Sequence, residues 1–178
     1  MKVNLKRVLA VAAALLVWCG GAWAVGAGVQ FQTSENLIIS QEITEFNRLG
    51  AGISGNIKGS RFPFVFGSGI NAEVVNSSFS LGFTSFFDYW LLDVQVKNNF
   101  NFYSGVGIGN TFSFDFDSNK TDLLNGRLFA GVNCLFLDNY IELYFQQNIC
   151  PGVEFNITNK TNAFALSIPF EIGVRWHF

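Results

Sequence analysis

The sequence predicts an all-β fold, an eight-stranded antiparallel up-and-down transmembrane β-barrel. Three observations carry that expectation. The first is the final segment, Ala163 to Phe178 (AFALSIPFEIGVRWHF). Every even position in it is apolar: Phe164, Leu166, Ile168, Phe170, Ile172, Val174, Trp176 and Phe178. The odd positions are small or polar, from Ala165 and Ser167 through Glu171, Gly173 and Arg175 to His177. Side chains alternate across a strand, so this segment has one oily face and one polar face. It is longer than an average soluble strand, and a tilted strand of roughly 10 residues crosses a bilayer. The second observation is composition. Charged residues make up only 13% of the chain, against 21 phenylalanines and 18 glycines. That is a heavy apolar load for a soluble domain, and it fits an exterior that faces lipid. The third is the N-terminus, where Lys2, Lys6 and Arg7 precede the apolar run Val8 to Val17 and the small-x-small site Ala22-Trp23-Ala24. That order is the pattern of a cleaved export signal.

Residues 1–24 therefore read as a signal peptide and residues 25–178 as one barrel domain. The apolar core of the signal is too short to span a bilayer as a helix. A lipid-attachment box is approximated by Leu16-Val17-Trp18-Cys19, but Trp18 stands where a small residue is needed. Removing Lys2, Lys6 and Arg7 takes the 11 basic residues to 8, against 13 acidic ones, for a net charge of −5. No basic cluster survives, which argues against nucleic acid as a partner.

Period-2 alternation then marks the strands in order. Val25 to Thr33 sets Val25, Ala27, Val29 and Phe31 against Gly26, Gly28, Gln30 and Gln32. Arg48 to Lys58 sets Leu49, Ala51, Ile53 and Ile57 against Arg48, Ser54, Asn56 and Lys58. Phe62 to Val74 sets Phe64, Phe66, Ile70, Ala72 and Val74 against Gly67, Gly69, Asn71 and Glu73. Phe79 to Leu91 sets Phe79, Leu81, Phe83, Phe87 and Leu91 against Ser80, Gly82, Thr84 and Asp88. Phe100 to Asp117 alternates phenylalanines with Asn101, Tyr103, three glycines, Thr111, Ser113 and Asp115. Arg127 to Leu137, Tyr140 to Phe155 and Ala163 to Phe178 complete the set. An even number of strands closes without edges, which hydrocarbon would not tolerate.

Asp138-Asn139 is the best-defined turn. A two-residue loop between Leu137 and Tyr140 pairs residues whose numbers sum to 277. Cys134 then points to lipid and Cys150 inward, roughly 23 Å apart along the ladder, so two free thiols are expected. Connections at Lys58–Arg61, Asp93–Asn99 and Asp138–Asn139 fall on the periplasmic side. Those at Ser34–Asn47, Val75–Ser78, Ser118–Gly126 and Asn156–Asn162 fall on the outer side. Only Ser34–Asn47 is long enough for structure of its own. The Asn-x-Ser/Thr triplets at Asn76, Asn119, Asn156 and Asn159 lie in these loops and read as turn chemistry.

The ending Glu171-x-Gly173-x-x-Trp176-x-Phe178 resembles the C-terminal assembly signal of bacterial outer-membrane barrels. The resemblance implies that Trp176 and Phe178 are read by the barrel-assembly machinery. The mature chain resembles the small eight-stranded barrels of the OmpX/OmpW type. Segments such as RFPFVFGSGIN, FFDYWLL and FNFYSGVGIG look especially like spirochaetal barrels of no assigned function. The resemblance implies residence in the bacterial outer membrane, with lipid as a partner and the outer loops as the surface for a host or small-molecule ligand. It transfers no catalytic residue.

Eight strands leave an interior just wide enough for side chains. The polar columns would place Arg48, Lys58, Arg127 and Arg175 there against Glu73, Asp88, Asp115, Glu142, Glu154 and Glu171. Mixed charge in a narrow lumen pairs up and fills it, which favours a structural or surface-interaction barrel. If the last loop sets pairing sums near 319, Arg175 lies beside Tyr144 and His177 beside Glu142. The alternative is a narrow channel or binding barrel for small, hydrophobic molecules, lined by Phe87, Tyr89, Trp90 and Tyr103. An enzyme is not expected. The one histidine, His177, sits at a strand end, away from Ser113 and Ser167, and no strand pairing assembles a nucleophile with a base. No metal site or cofactor is implied, since the cysteines diverge and Asp115/Asp117 is an ordinary solvated pair.

Overall fold

A computed structural model describes residues 25–39, 44–59, 63–75, 78–115 and 120–178. Residues 1–24, expected from the sequence to be an export signal, lie outside the described residues, as do the short stretches between these ranges. The strands are β1 (Val25–Ile39), β2 (Thr44–Gly59), β3 (Phe64–Val75), β4 (Ser78–Lys97), β5 (Phe100–Asp115), β6 (Lys120–Phe136), β7 (Ile141–Asn156), β8 (Thr161–Ser167) and β9 (Phe170–His177). β8 and β9 are the two halves of one barrel strand, because each pairs with β7 on one side and β1 on the other. The sheet closes as an eight-stranded antiparallel barrel.

Register fixes the shape. Following ladder partners from Tyr103 on β5 leads through Gly131, Gln146, Glu171, Gln32, Gly52, Asn71 and Gly82 to Ser113, also on β5. The row returns ten residues further along its own strand, from 103 to 113. A stagger of that size on eight strands tilts them by about 40° to the axis. Every residue in this row is an inward one.

The two surfaces are inverted relative to a protein dissolved in water. Leu49, Ile70 and Ile108 are 65%, 62% and 63% exposed, while Glu142 and Arg175 are 0% and 1% exposed. Large apolar side chains cover the outside of every strand from β1 to β9, a surface that suits hydrocarbon.

Several elements run further than alternation marks them. β1 and β2 continue through much of Ser34–Asn47, with a bulge between Asn36 and Ile38. β6 begins at Lys120, so Ser118–Gly126 is largely strand, paired to both β5 and β7. β4 reaches Lys97 through bulges at Trp90/Leu92 and Gln95/Lys97, which shrinks the Asp93–Asn99 loop to Asn98 and Asn99. On β1 and β6 the outward positions turn polar (Glu35, Asp122), and on β4 the bulges shift parity so that Leu92 and Val94 fall off the odd-numbered outer column, so the side-chain signal fades. Backbone pairing is indifferent to that and continues wherever a partner strand is present.

The Asp138–Asn139 hairpin holds the 277 sums from Phe136–Ile141 to Thr121–Asn156. Pairing between β7 and β8/β9 sums to 317, not 319, so Arg175 faces Glu142 and Tyr144 faces Gly173. The cause is a tight Ile157–Lys160 turn, with Asn156 opposite Thr161. Pro169 lacks an N–H and divides β8 from β9, yet the register passes through the break: Ile168 N–H donates to Glu35 O at 3.0 Å and Pro169 O accepts from Asn148 N at 3.0 Å. Among the described residues Cys134 and Cys150 are free thiols, Cys150 buried and Cys134 half-buried.

Candidate functional site

The chemistry of this chain is concentrated inside the barrel, in two charged tiers. The lower tier, at the end of the barrel that holds the chain's C-terminus, is built around Glu142. One carboxylate oxygen accepts from Lys58 Nζ at 3.2 Å, Arg175 Nη1 at 3.1 Å and Asn133 Nδ2 at 2.8 Å. The other lies 2.8 Å from His177 Nε2. Arg175 also donates to Asn56 Oδ1 at 2.7 Å, and its guanidinium lies 3.8 Å from the Tyr144 ring centroid. Lys58 Nζ sits 3.6 Å from the Trp90 centroid, and Trp90 stacks on Tyr103 at 3.9 Å with planes 1° apart. The Tyr144 hydroxyl and Asn56 converge on Gln30 Oε1 at 2.7 and 3.0 Å. A stacked aromatic pair, two cations and a carboxylate thus span the lumen from wall to wall.

The upper tier is built around Arg127. Its Nε donates to Asp88 Oδ1 at 2.8 Å and its Nη2 to Asp88 Oδ2 at 3.1 Å, a bidentate pair. The same Nη2 reaches Glu171 Oε1 at 2.8 Å and Asn148 Oδ1 at 3.3 Å. Gln146 ties Glu171 Oε2 to Asn148 at 3.3 and 2.8 Å. The Phe86 ring lies 4.6 Å from the guanidinium carbon. Beyond this tier lies a polar cavity of about 50 Å³, bounded by Asn71, Glu73, Thr84, Asn125, Cys150 and Arg127. Asn71 and Asn125 each hold a buried amide oxygen with no protein donor there. The space admits roughly three waters, which would satisfy both.

The structure brings Asp88, Arg127 and Glu171 into one cluster, and Glu142 and Arg175 into another. Glu73 is buried higher up, accepting from Asn71 Nδ2 at 3.0 Å and Asn36 Nδ2 at 3.4 Å. Glu154 is buried and Asp115 half-buried near the same end, and both have partners of their own. Arg48 stands opposite Asn36 and Val75 in the ladder, and its side chain lies outside the described residues. Of the C-terminal motif, Glu171 and Gly173 face inward, while Trp176 and Phe178 are exposed on the outer surface. Of the four aromatics expected to line a conduit, Trp90 and Tyr103 are inside. Phe87 and Tyr89 are 40% and 38% exposed on the exterior, because they share parity with the lipid-facing column of β4.

Sequence reasoning singled out charges and missed the neutral residues that complete the network: Gln30, Asn133, Gln146, Asn148 and the Tyr144 hydroxyl. Their signal was present: Asn133 shares parity with Arg127 on β6, and Tyr144, Gln146 and Asn148 share it with Glu142 and Glu154 on β7, while Gln30 lies in the glycine and glutamine column of β1. It also passed over Phe86 and Phe129, which point inward by strand parity and find room because a glycine stands opposite each. The Phe86 ring occupies the space a side chain at Gly67 would need, and the Phe129 ring does the same at Gly105. Among the described residues no three metal-ligating side chains converge.

Comparison of this architecture with solved structures settles the fold. Neisserial surface protein A (NspA) superposes with a TM-score of 0.53 at 12% identity, covering 85% of this chain and 97% of that one. The chain has the fold of a small outer-membrane β-barrel. Ail, the attachment invasion locus protein of Yersinia pestis, aligns at a TM-score of 0.46 and 10% identity, covering 88% of this chain and 99% of that one. OprG of Pseudomonas aeruginosa aligns at 0.45 and 9%, covering 88% and 95%. No protein-family model matches the sequence, and no curated protein matches it. The narrower spirochaetal resemblance finds no support in these comparisons.

Proposed function

We propose that this chain is an integral barrel of the bacterial outer membrane with a structural or surface-interaction role, its lumen closed by its own charged side chains. Residues 1–24 serve as the export signal in this reading, and Trp176 and Phe178 present the C-terminal strand to the barrel-assembly machinery. Lipid is the constant partner, and the outer loops are where a host surface or small molecule would be met. The observation that carries the reading is the pair of charged tiers inside the barrel. Arg127 bridges Asp88 and Glu171 at 2.8 Å each, and Glu142 gathers Lys58, Arg175 and His177 within 3.2 Å. Two such tiers in series oppose the passage of a solute, because each must be broken and left unpaired for anything to pass.

The reading is also non-enzymatic. His177 is engaged with Glu142, and Ser167 Oγ donates to Asn36 Oδ1 deep in the barrel. No hydroxyl or thiol among the described residues is hydrogen-bonded to the imidazole, so no side chain there is set up as a His-activated nucleophile. Single-channel recording of the purified protein in planar bilayers tests the proposal. Insertion without reproducible conductance steps is expected. Discrete steps from the wild-type protein would overturn the closed lumen and favour the narrow conduit.

A further inference from the structure

The end of the barrel that holds the C-terminus opens into a polar cavity of about 410 Å³. Asp93, Gln95, Asn98, Asn99, Asn101 and Asn139 line it, from β4, β5 and the two hairpin turns. Small-molecule sites of roughly 300–1,000 Å³ are usually apolar, but here Leu135 is the one apolar residue in the lining. Two of the asparagines have a local cause. Asn98 and Asn139 hold left-handed backbone, at φ 47° and 73°, which asparagine tolerates. Asp93, Gln95 and Asn101 have no such cause, because they sit in strands, where Asp and Asn are depleted.

A bulge brings two of them in. Along β4 as far as Trp90, even positions such as Asp88 and Trp90 are buried in the lumen and odd ones such as Phe87 and Tyr89 are exposed outside. The bulge between Trp90 and Leu92 reverses that parity. Leu92 joins the exposed apolar side, and Asp93 and Gln95 turn to the lumen side opposite Tyr103 and Asn101. Bulges re-aim side chains in this way and are over-represented next to active sites. Gln95, Asn101 and Asn133 then form a row of amides across β4, β5 and β6. Gln95 Nε2 donates to Asn98 O, which holds that amide at the mouth. At the inner end Asn133 is 2% exposed and donates its Nδ2 to Glu142, so its Oδ1 is fixed as an acceptor and has no protein donor.

We propose that this cavity binds a chain of N-acetylated amino sugars, the chemistry of a cell-wall glycan, with Asp93 accepting from ring hydroxyls and the amide row pairing with acetamido groups. The inference rests on the membrane reading above, which turns this end toward the periplasm. The lining selects the ligand class. Among the described residues no cation lines the cavity, so an anion finds no counter-charge. Asp93 is the one charge in the lining, and the Lys58 ammonium offsets it from the lumen, so a cation gains little. An apolar molecule would leave the amides unpaired. What remains is a neutral ligand dense in both donors and acceptors. A side-chain amide offers one of each to an acetamido group, and the two oxygens of a carboxylate accept from neighbouring hydroxyls together.

The test titrates the whole barrel, in micelles of a sugar-free detergent, with N-acetylchitotriose, maltotriose and trilysine, and follows the side-chain amide signals of Asn and Gln by NMR. N-acetylchitotriose should give saturable shifts. Maltotriose, which has the hydroxyls without the acetamido groups, should bind about fivefold more weakly, and trilysine should not compete. Asp93→Asn and Gln95→Ala change exposed positions at the mouth, and each should weaken N-acetylchitotriose by about fivefold while heat-modifiable gel mobility shows the barrel folded. Absence of saturable shifts would overturn the inference, as would equal binding of the two sugars, binding that neither variant changes, or preference for trilysine, which would make the cavity a cation site. A chain that stays in buffer without detergent would overturn the membrane reading itself, a result distinct from a folded barrel that binds none of the probes.

Discussion

Glu142 is the residue on which the lower tier depends. It is fully buried and faces Lys58, Arg175 and His177 at once. Removing one partner of a buried ion pair is expensive because the other is left uncompensated. Glu142→Ala should therefore destabilise the barrel by about 3–5 kcal/mol. Lys58→Met should cost only about 1 kcal/mol, since Glu142 keeps Arg175 and His177 and the methionine still covers Trp90. Thermal unfolding in detergent, read by heat-modifiable gel mobility, measures both. Equal losses for the two variants would show that the carboxylate is not the hub. The charged residues themselves were legible in the sequence, because parity placed Asp88, Arg127, Glu142, Glu171 and Arg175 on the inner columns. Their pairing was not. Lys58 meets Glu142 from 84 positions away, and only the stagger of the closed barrel determines that meeting.

At the scale of the element, alternation located every strand and the turns located the registers with unequal success. Asp138–Asn139 fixed its hairpin because two residues with left-handed backbone, φ 54° and 73°, leave little choice of loop length. The last hairpin slipped by two residues in the sum because the longer Ile157–Lys160 turn carried no such constraint. Leu137 also sits at φ 50°, a region that an ordinary side chain rarely adopts. Leu137→Gly should stabilise the barrel by about 0.5–1 kcal/mol, seen as a higher unfolding midpoint, and a lower midpoint would show that Leu137 packs usefully. Inward glycines test the packing more severely. A side chain at Gly105 would strike the backbone oxygen of Tyr89 and the Phe129 ring, whereas one at outward Gly55 meets only Gly28 O, at 3.9 Å. Gly105→Val should lose about 1–3 kcal/mol or fail to assemble, with Gly55→Ala close to wild type. Indifference at Gly105 would mean that the interior has room the structure does not show.

For the molecule as a whole, the informative quantity is which surface faces which medium. A periplasmic barrel of the same strand count would bury the phenylalanines and expose Arg175 and Glu142, so one fact about orientation divides the two. It was readable from sequence because the polar columns contain ionic and amide residues too numerous for an apolar pocket.

Residues 25–178 contain two tryptophans, Trp90 and Trp176, and they face opposite ways. Trp90 is buried against Tyr103 in the lumen, and Trp176 is exposed on the apolar exterior. Quenching by lipids brominated along the acyl chain, applied to the single-tryptophan variants Trp90→Phe and Trp176→Phe in vesicles, compares the two faces directly. Strong quenching of Trp176 with Trp90 nearly untouched is the expected result. Quenching of Trp90 with Trp176 spared, or a protein that stays in aqueous buffer without detergent, would contradict the account.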